Sequence, residues 1–329
     1  MIRGAAIIGC GVIGARRARA LAILGVPVLA VFDVDSDRAA ALAASLPATI
    51  VPANTAEAAL AVEGVEVAVV STAHNALASL TVLALDAGCD VIVEKPGAAG
   101  LDALTDVDTA AHRNQRVVRV GYNHRFHPAV AKARSLVASG EYGSVMHIRG
   151  RYGHGGRPGY EKEWRAQRES SGGGELLDQG VHLIDLVRVF SGDVSLAFAE
   201  LRTSYWHTDV EDNAFVALRA ADGAFAWLHA SWTEWKNRFA FEVMLERAEV
   251  EIVGLGGSYG TERCTLHAML PELGPPETTI WEWPRADESW DLDTADALAA
   301  FAGQTAIGAS LDDALAVMRV VDEAYADAQ

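Results

Sequence analysis

Between the apolar run Ala5-Ala6-Ile7-Ile8 and a helical stretch beginning near Val12 lies Gly9-Cys10-Gly11-Val12-Ile13-Gly14, a Gly-x-Gly-x-x-Gly loop. A strand, a glycine loop and a helix in that order make the loop a dinucleotide site. The first glycine allows a tight turn, the second lets the backbone approach a pyrophosphate, and the third lets helix and strand pack closely. The N–H groups of the helix start and the positive end of its dipole then face the phosphates. The next apolar run, Val28-Leu29-Ala30-Val31-Phe32, ends at Asp33, nineteen residues after Gly14, where a carboxylate can accept hydrogen bonds from an adenosine ribose. Asp33 argues for NAD over NADP, because a 2′-phosphate would meet Asp33 and Asp35 with only Arg38 to offset them.

Short β-branched runs alternate with Ala/Leu-rich helical windows through about residue 121, the pattern of a doubly wound parallel sheet in an α/β fold. The strands read as 3–8, 27–32, 48–51, 66–71, 90–94 and 116–121, with helices over 12–24, 36–46, 55–62, 76–87 and 100–113. Pro128 opens a further helix over 128–139, stopped by Ser139-Gly140. From Val145 the strands lengthen and alternate, as in Phe225 to Trp232, with hairpin punctuation at Ala221-Asp222-Gly223 and Leu255-Gly256-Gly257. These features predict a mostly antiparallel sheet. A loop rich in glycine and charge covers 153–174, and two amphipathic helices close the chain over 292–302 and 310–326. At 329 residues two domains are expected, and all eight tryptophans lie between Trp164 and Trp290. The division falls at 1–122 for a dinucleotide-binding domain and 123–329 for a substrate-binding and oligomerisation domain.

A net charge of −17 repels a phosphate backbone and argues against nucleic-acid binding. Cys10, Cys89 and Cys264 are widely spaced, with neither a pairing nor a metal-ligand pattern, and suit a reducing cytoplasm. No uninterrupted apolar run approaches ~18 residues, so no membrane span is expected. Met1 to Ala15 resembles a signal peptide only superficially, because the glycine loop lies inside it. The ten histidines do not cluster with Cys, Asp or Glu at ligand spacing, so no metal is expected.

Two places can carry proton chemistry. Strand 90–94 ends in Glu94-Lys95-Pro96, and ligands of open α/β sheets bind outside the carboxyl ends of strands. Lys95 is thereby aimed at the nicotinamide end, with its backbone restricted by Pro96, although the position also suits an ordinary turn lysine. The second place is the apolar helix opened by Gly172-Gly173-Gly174 over about 175–190, where Asp178, His182 and Asp185 fall at i, i+4 and i+7 on one face. Asp178 can fix the tautomer of His182 and raise its basicity, as a general base requires; a buried pair satisfying only itself is the alternative. Oxidising a secondary alcohol with NAD needs a base for the hydroxyl proton and a cation for the developing alkoxide. His182 with Asp178 supplies the first and Lys95 the second, while burial would also suit Lys95 as the base.

With those residues in view the chain resembles the Gfo/Idh/MocA oxidoreductases over essentially its whole length. The resemblance rests on Gly9 to Gly14 with Asp33, on Glu94-Lys95-Pro96, on Gly121-Tyr122-Asn123-His124-Arg125-Phe126-His127-Pro128, and on Gly172-Gly173-Gly174 through Asp178 and His182 to Asp185. It implies an N-terminal Rossmann domain, a C-terminal α+β domain with an open sheet, oxidation or reduction of sugars, cyclitols or related compounds, and Lys95, Asp178 and His182 as the catalytic trio. Gly9, Gly11, Val12, Ile13, Gly14, Asp33, Thr72, Glu94 and Lys95 are expected at the cofactor, and Arg125, Tyr160, Trp164 and Arg165 at the substrate. One block departs: relatives usually carry Thr-Pro-Asn followed by histidine, where this chain has Thr72-Ala73-His74-Asn75-Ala76-Leu77. The nicotinamide-ribose contacts of that loop therefore stay open.

Within 149–168, Arg149, Arg151, Arg157, Lys162, Arg165 and Arg168 stand against Glu161 and Glu163, a local balance of +4. This favours an anionic substrate, such as a phosphate, uronate or nucleotide sugar, unless the loop merely pairs with the acidic surface. Tyr160, Trp164, Trp206, Trp232 and Trp235 offer ring faces for sugar C–H groups or serve as sheet core. An open sheet face rich in tryptophan needs covering, so a homodimer or homotetramer is expected. The leading function is an NAD-dependent dehydrogenase of a sugar, amino sugar or nucleotide sugar. The alternatives are an inositol (cyclitol) dehydrogenase, an epimerase or glycosidase that recycles its NAD without net redox change, and a non-enzymatic dinucleotide sensor, which would have no need for a proton-transfer set.

Overall fold

The computed structural model describes residues 2–47, 50, 52–272 and 274–327, which form two compact units. The first comprises residues 1–123 and 290–315, the second residues 124–289 and 316–329.

The first unit begins β1 (Ala5–Ile8), α1 (Val12–Ile23), β2 (Val28–Phe32), α2 (Ser36–Ser45), α3 (Ala56–Leu60), β3 (Val67–Val70), α4 (His74–Asp86), β4 (Asp90–Val93), α5 (Leu101–Asn114) and β5 (Val118–Val120). The five strands pair in parallel in the order β5-β4-β3-β1-β2, the doubly wound arrangement expected. β1 and β3 are buried at every position, which is why they read as unbroken apolar runs rather than alternations. The strand expected over 48–51 lies, apart from Ile50, outside the described residues.

In the second unit a short 3-10 turn (Asn123–Phe126) leads to α6 (Pro128–Ala138) and β6 (Val145–Gly153). Three brief helical pieces then occupy the segment expected as loop: 3-10 turns at Tyr160–Lys162 and Trp164–Ala166, and α7 (Arg168–Ser171). The helix expected over 175–190 is divided into a π turn at Leu176–Gly180 and α8 (Val181–Ser191). The remaining strands are β7 (Val194–Arg202), β8 (Asn213–Ala220), β9 (Phe225–Ser231), β10 (Arg238–Leu245), β11 (Ala248–Val253), β12 (Glu262–Ala268) and β13 (Glu277–Trp283). They form one sheet in the order β13-β12-β11-β10-β6-β9-β8-β7, antiparallel except for the β6–β9 pair. α6 packs against β11, β12 and β13, and α8 against β6, β7 and β9. Residues pointing toward those helices, such as Ile148, Leu228 and Phe241, are buried. On the opposite side of the alternation Phe225, Trp227 and Ile280 are exposed.

The chain then returns. α9 (Ser289–Phe301) and β14 (Ala309–Ser310) precede α10 (Leu311–Asp327), and β14 adds antiparallel to β5. Residues 290–315, which the sequence division places after residue 122, cluster with the first unit. The cause is buried charge. Arg17 on α1 is fully buried, and its guanidinium meets Glu94 Oε1 at 2.9 Å, Asp293 Oδ2 at 2.5 Å and Thr294 Oγ1 at 3.0 Å, with the Trp290 ring 5.1 Å away. Burial pushes the Glu94 and Asp293 carboxyls up, and the shared Arg17 opposes this. One guanidinium thus serves two buried carboxylates from distant parts of the chain.

Burial also pushes the thiols of Cys10, Cys89 and Cys264 up to about 12, 11 and 12, which leaves them inert as nucleophiles. Among the described residues no helix is long and apolar enough to cross a membrane. Arg17→Met is expected to lower the unfolding free energy by about 3–5 kcal/mol in urea titration, because both carboxylates lose their buried partner. A loss below about 1 kcal/mol would show that the cluster does not hold α9 in place.

Candidate functional site

In the first unit the glycine loop takes the shape its spacing predicts. Gly9 has φ +97°, and a Cβ there would lie 2.5 Å from the Ser71 carbonyl oxygen. A Cβ on Gly14 would come within 2 Å of the Gly9 carbonyl oxygen, so only glycine permits this approach of α1 to the loop. Gly11 differs: among the described residues nothing lies within 4 Å of where its Cβ would be. Its backbone opens on free space at the start of α1, where Val12 is 72% exposed and no side chain caps the helix. That is a cradle for a pyrophosphate, with the first-turn N–H groups as donors. Asp33 closes one side, accepting the Cys10 N–H on Oδ2 at 2.6 Å and the Asp35 N–H on Oδ1 at 2.9 Å. The nearby Arg38, the cation the sequence offers against a 2′-phosphate, pairs with Asp35 at 3.1 Å. The residues present fit NAD.

Thr72 lies next to Gly9 and donates its hydroxyl to the Ala73 carbonyl at 3.3 Å. His74, displaced relative to the family pattern, is buried in the first turn of α4. Lys95 follows β4 at its carboxyl end, half-buried, with a cis peptide bond to Pro96. Glu94, expected at the cofactor, turns its carboxylate to Arg17 in the interior. A Cβ on Gly121 would sit 2.8–2.9 Å from both its oxygens, which leaves glycine as the residue that fits there.

In the second unit the π turn carries Asp178 and the first turn of α8 carries His182, which are 6% and 5% exposed. Two of the three glycines before it are required by close approaches, and Gly172 has φ +81°. A Cβ on Gly173 would meet the Tyr325 hydroxyl at 2.0 Å, and one on Gly174 the Glu211 carbonyl oxygen at 2.0 Å. Glu211 then fixes the start of the segment by accepting N–H bonds from Gly174 and Leu176 at 3.1 Å and the Tyr325 hydroxyl at 2.8 Å. Asp178 faces Arg165 at 3.3 Å, and the Arg165 guanidinium lies 4.5 Å from the Trp164 ring, which groups three of the residues expected at the substrate or in catalysis.

The turn Asn123–Phe126 supplies partners the sequence had not assigned. His124 stacks on His182, ring centroids 3.7 Å apart and planes 20° from parallel. Arg125 turns Nε (2.9 Å) and Nη2 (2.5 Å) onto Asp185, so the carboxylate expected on the polar face with His182 is matched there by the arginine expected at the substrate. His127 Nδ1 meets Glu262 at 3.0 Å, and the same carboxylate accepts the Ala129 N–H at 2.8 Å.

Two substrate expectations change. Tyr160 is 4% exposed and packs edge-on against fully buried Trp232 with Val210 and Trp206. Its ring belongs to a hydrophobic cluster, and burial pushes its hydroxyl well up. Four of the six cations of the arginine-rich segment are paired: Arg149 with Glu242, Arg151 with Glu234, Arg157 with Glu163 and Arg165 with Asp178. Strands β10 and the residues after β9 supply the carboxylates that a count within 149–168 omits.

Residues 3–122 match the oxidoreductase family of Gfo/Idh/MocA type, NAD-binding Rossmann fold, and residues 130–259 match the C-terminal domain of the same group. The chain belongs to the Gfo/Idh/MocA oxidoreductase family. It is similar to levoglucosan dehydrogenase of Pseudarthrobacter phenanthrenivorans, 32% identical over 137 residues, or 41% of this chain and 35% of that protein. It is also similar to inositol 2-dehydrogenase 2 of Saccharopolyspora erythraea, 29% identical over 223 residues, or 66% of this chain and 63% of that protein. These alignments span roughly a third to two thirds of the relatives' length. Among solved structures, GenD2 from gentamicin A biosynthesis in complex with NAD superposes with a TM-score of 0.84 at 25% identity, covering 99% of this chain and 93% of that chain. Levoglucosan dehydrogenase in complex with NADH and L-sorbose shares the fold at a TM-score of 0.89 and 21% identity, covering 99% and 96%.

For this Gfo/Idh/MocA chain, Asp33→Ala is expected to weaken NAD binding by about 10- to 100-fold, the loss of a hydrogen-bonding carboxylate, as read by calorimetry. An unchanged NAD affinity would remove Asp33 from the cofactor site.

Proposed function

We propose that the chain is an NAD-dependent dehydrogenase of a secondary alcohol on a neutral polyhydroxylated compound, a sugar, amino sugar or cyclitol, with Lys95, Asp178 and His182 as its proton-transfer set. The observation that carries the reading is the buried Asp178–His182 segment at a π turn, in a chain whose first unit has the NAD cradle and Lys95 beyond β4. A chain that only sensed dinucleotides would have no use for a buried imidazole and carboxylate at such a turn. The family relatives named as levoglucosan and inositol dehydrogenases support the same substrate class. The pairing of Arg149, Arg151, Arg157 and Arg165 with carboxylates favours a neutral substrate over a phosphorylated one.

NAD supplies the acceptor for a hydride from the carbinol carbon. His182 takes the hydroxyl proton, so that the oxygen carries the charge needed to expel hydride. Asp178, which also faces Arg165, orients the imidazole and stabilises its protonated form. The ammonium of Lys95 stabilises the developing alkoxide. Burial around Asp178 and His182 excludes water and strengthens each of these interactions.

Absorbance of the reduced nicotinamide, followed while NAD is titrated with neutral sugars, amino sugars, inositols and their phosphates, tests the assignment. Turnover is expected with a neutral member. Lys95→Met and His182→Ala are expected to lower kcat by about 10²- to 10⁴-fold with NAD affinity nearly unchanged. Wild-type turnover in either variant would overturn that residue's role, and turnover confined to phosphorylated substrates would overturn the neutral class.

We also propose that the exposed side of the second sheet is covered by another copy of the chain. Phe198 and Trp227 stack there with planes 10° apart and are each 44% exposed. Sedimentation is expected to give a dimer or tetramer, shifted toward monomer by Trp227→Glu. A monomeric wild-type protein would contradict this.

A further inference from the structure

We propose that Tyr205, Trp206 and Trp235 form a subsite for a second sugar ring, so that the preferred substrate is a neutral glycoside larger than one monosaccharide or cyclitol. The inference deepens the polyol dehydrogenase reading and rests on it for the identity of the reacting ring. It starts from an aromatic group that is strained, exposed and held in place at once. Trp235 has φ +42° and is 64% exposed, and Tyr205 is 57% exposed. Tyr205 lies edge-on to both indoles, 5.1 Å from Trp206 with planes at 90° and 4.8 Å from Trp235 with planes at 80°.

The backbone is shaped to receive these rings. Gly155 and Gly156 follow His154 just beyond β6. A Cβ on Gly155 would lie 3.1 Å from Trp235 Cε3, and one on Gly156 would lie 2.9 Å from Trp206 Cζ2. Asp212 fixes the Tyr205–Trp206 loop by accepting the N–H groups of Ser204, Tyr205 and Trp206 at 2.8, 2.7 and 2.9 Å. Trp206 Nε1 donates to the Trp232 carbonyl at 3.0 Å, and the Glu234 N–H donates to the His154 carbonyl at 3.3 Å. A platform fixed in this way loses little freedom when a ring stacks on it.

Register puts the group at the same end of the sheet as the segment carrying Asp178. Gly153 at the end of β6 pairs with Ser231 at the end of β9, Ser231 with Asn213 at the start of β8, and Asn213 with Arg202 at the end of β7. The two residues before β8 divide the work: Glu211 takes the Gly174 and Leu176 N–H groups of the segment leading to Asp178, and Asp212 takes the aromatic loop. Trp206 also packs on Tyr160 at 5.8 Å, and Tyr160 is edge-on to His154 at 5.7 Å. Adjacent carboxylates thus tie the reactive segment and the aromatic group to one strand end.

The fold itself gains little from an indole at position 235. A glycine or asparagine would hold a left-handed residue with less strain, and an indole so exposed buries little area in return. Strain kept at an exposed ring is the mark of a binding role. The rim is polar, with Ser204, His207, Lys236 and Asn237 exposed around the rings. Apolar faces beside hydrogen-bonding groups suit a pyranose, which has C–H faces and a girdle of hydroxyls. The Phe198–Trp227 pair, by contrast, stacks on the sheet itself, with Trp227 near the start of β9.

Calorimetry of the full-length protein loaded with NADH, titrated with glucose, maltose and cellobiose, tests the subsite in wild type, Trp235→Asn and Tyr205→Ala. At least one disaccharide is expected to bind wild type about 10-fold more tightly than glucose, and each variant is expected to lose about 3- to 10-fold of disaccharide affinity with glucose binding unchanged. Trp235→Asn is expected to melt no lower than wild type, because asparagine tolerates the left-handed backbone. No disaccharide preference in wild type, or equal losses for glucose and disaccharide in the variants, would overturn the proposal. So would a marked drop in the melting temperature of Trp235→Asn, which would make the indole a packing residue, or a shift of that variant toward monomer in sedimentation, which would make it a subunit contact. Because calorimetry needs no turnover, disaccharide binding without hydride transfer would leave the subsite standing and count against the dehydrogenase reading alone.

Discussion

A carboxylate taken out of water must find a cation or a set of N–H groups, and the placement of the chain around Lys95, Asp178 and His182 in each unit follows from where four such carboxylates find them. Glu94 meets Arg17, which fixes the chain immediately before Lys95. Glu211 collects the N–H groups of Gly174 and Leu176, which fixes the entrance to the π turn carrying Asp178. Asp185 takes Arg125, and Glu262 takes His127 together with the Ala129 N–H. The turn from Asn123 to His127 therefore presents three consecutive functions: His124 on His182, Arg125 on Asp185 and His127 on Glu262. An apolar replacement at any of the four carboxylates would release a cation or a helix start, and the reactive side chains would lose their reference points.

Local patterns carried the first unit almost completely. Gly9, Gly11 and Gly14, the unbroken apolar strands and Asp33 are short-range signals, and the boundaries of β1 to β5 read within a few residues of where they fall. The second unit's antiparallel texture was equally legible from alternation in β9 and its neighbours. Long-range pairing was not. Glu94 stands beside Lys95 in sequence, yet its partner Arg17 is 77 residues away, and Asp293, the other carboxylate on that guanidinium, is 199 away. The same separation hid the return of residues 290–315 to the first sheet.

The arginine-rich stretch shows the limit of counting charge in a window. Its +4 balance is real, but β-sheet register sets Arg149 beside Glu242 and brings Arg151 to Glu234, residues more than 80 positions on. The burial of Tyr160 was hidden for a related reason: a single aromatic carries no sign of whether a buried tryptophan waits for it. The π turn was also invisible, because inserting one residue into a helix leaves the apolar periodicity of Val181 to Phe190 intact. Irregularities of that kind concentrate at reactive sites, where backbone regularity yields to the placement of a few side chains.

The central claim is that hydride passes from a polyol carbon to NAD held at the glycine loop, with its proton taken by the buried imidazole. Incubation with NAD and a polyol deuterated at the reacting carbinol carbon, followed by mass spectrometry of the cofactor, addresses this directly. The account predicts deuterium in the reduced nicotinamide and loss of that label transfer in His182→Ala. Conversion of the polyol with its deuterium retained, and none in the cofactor at any time, would contradict it.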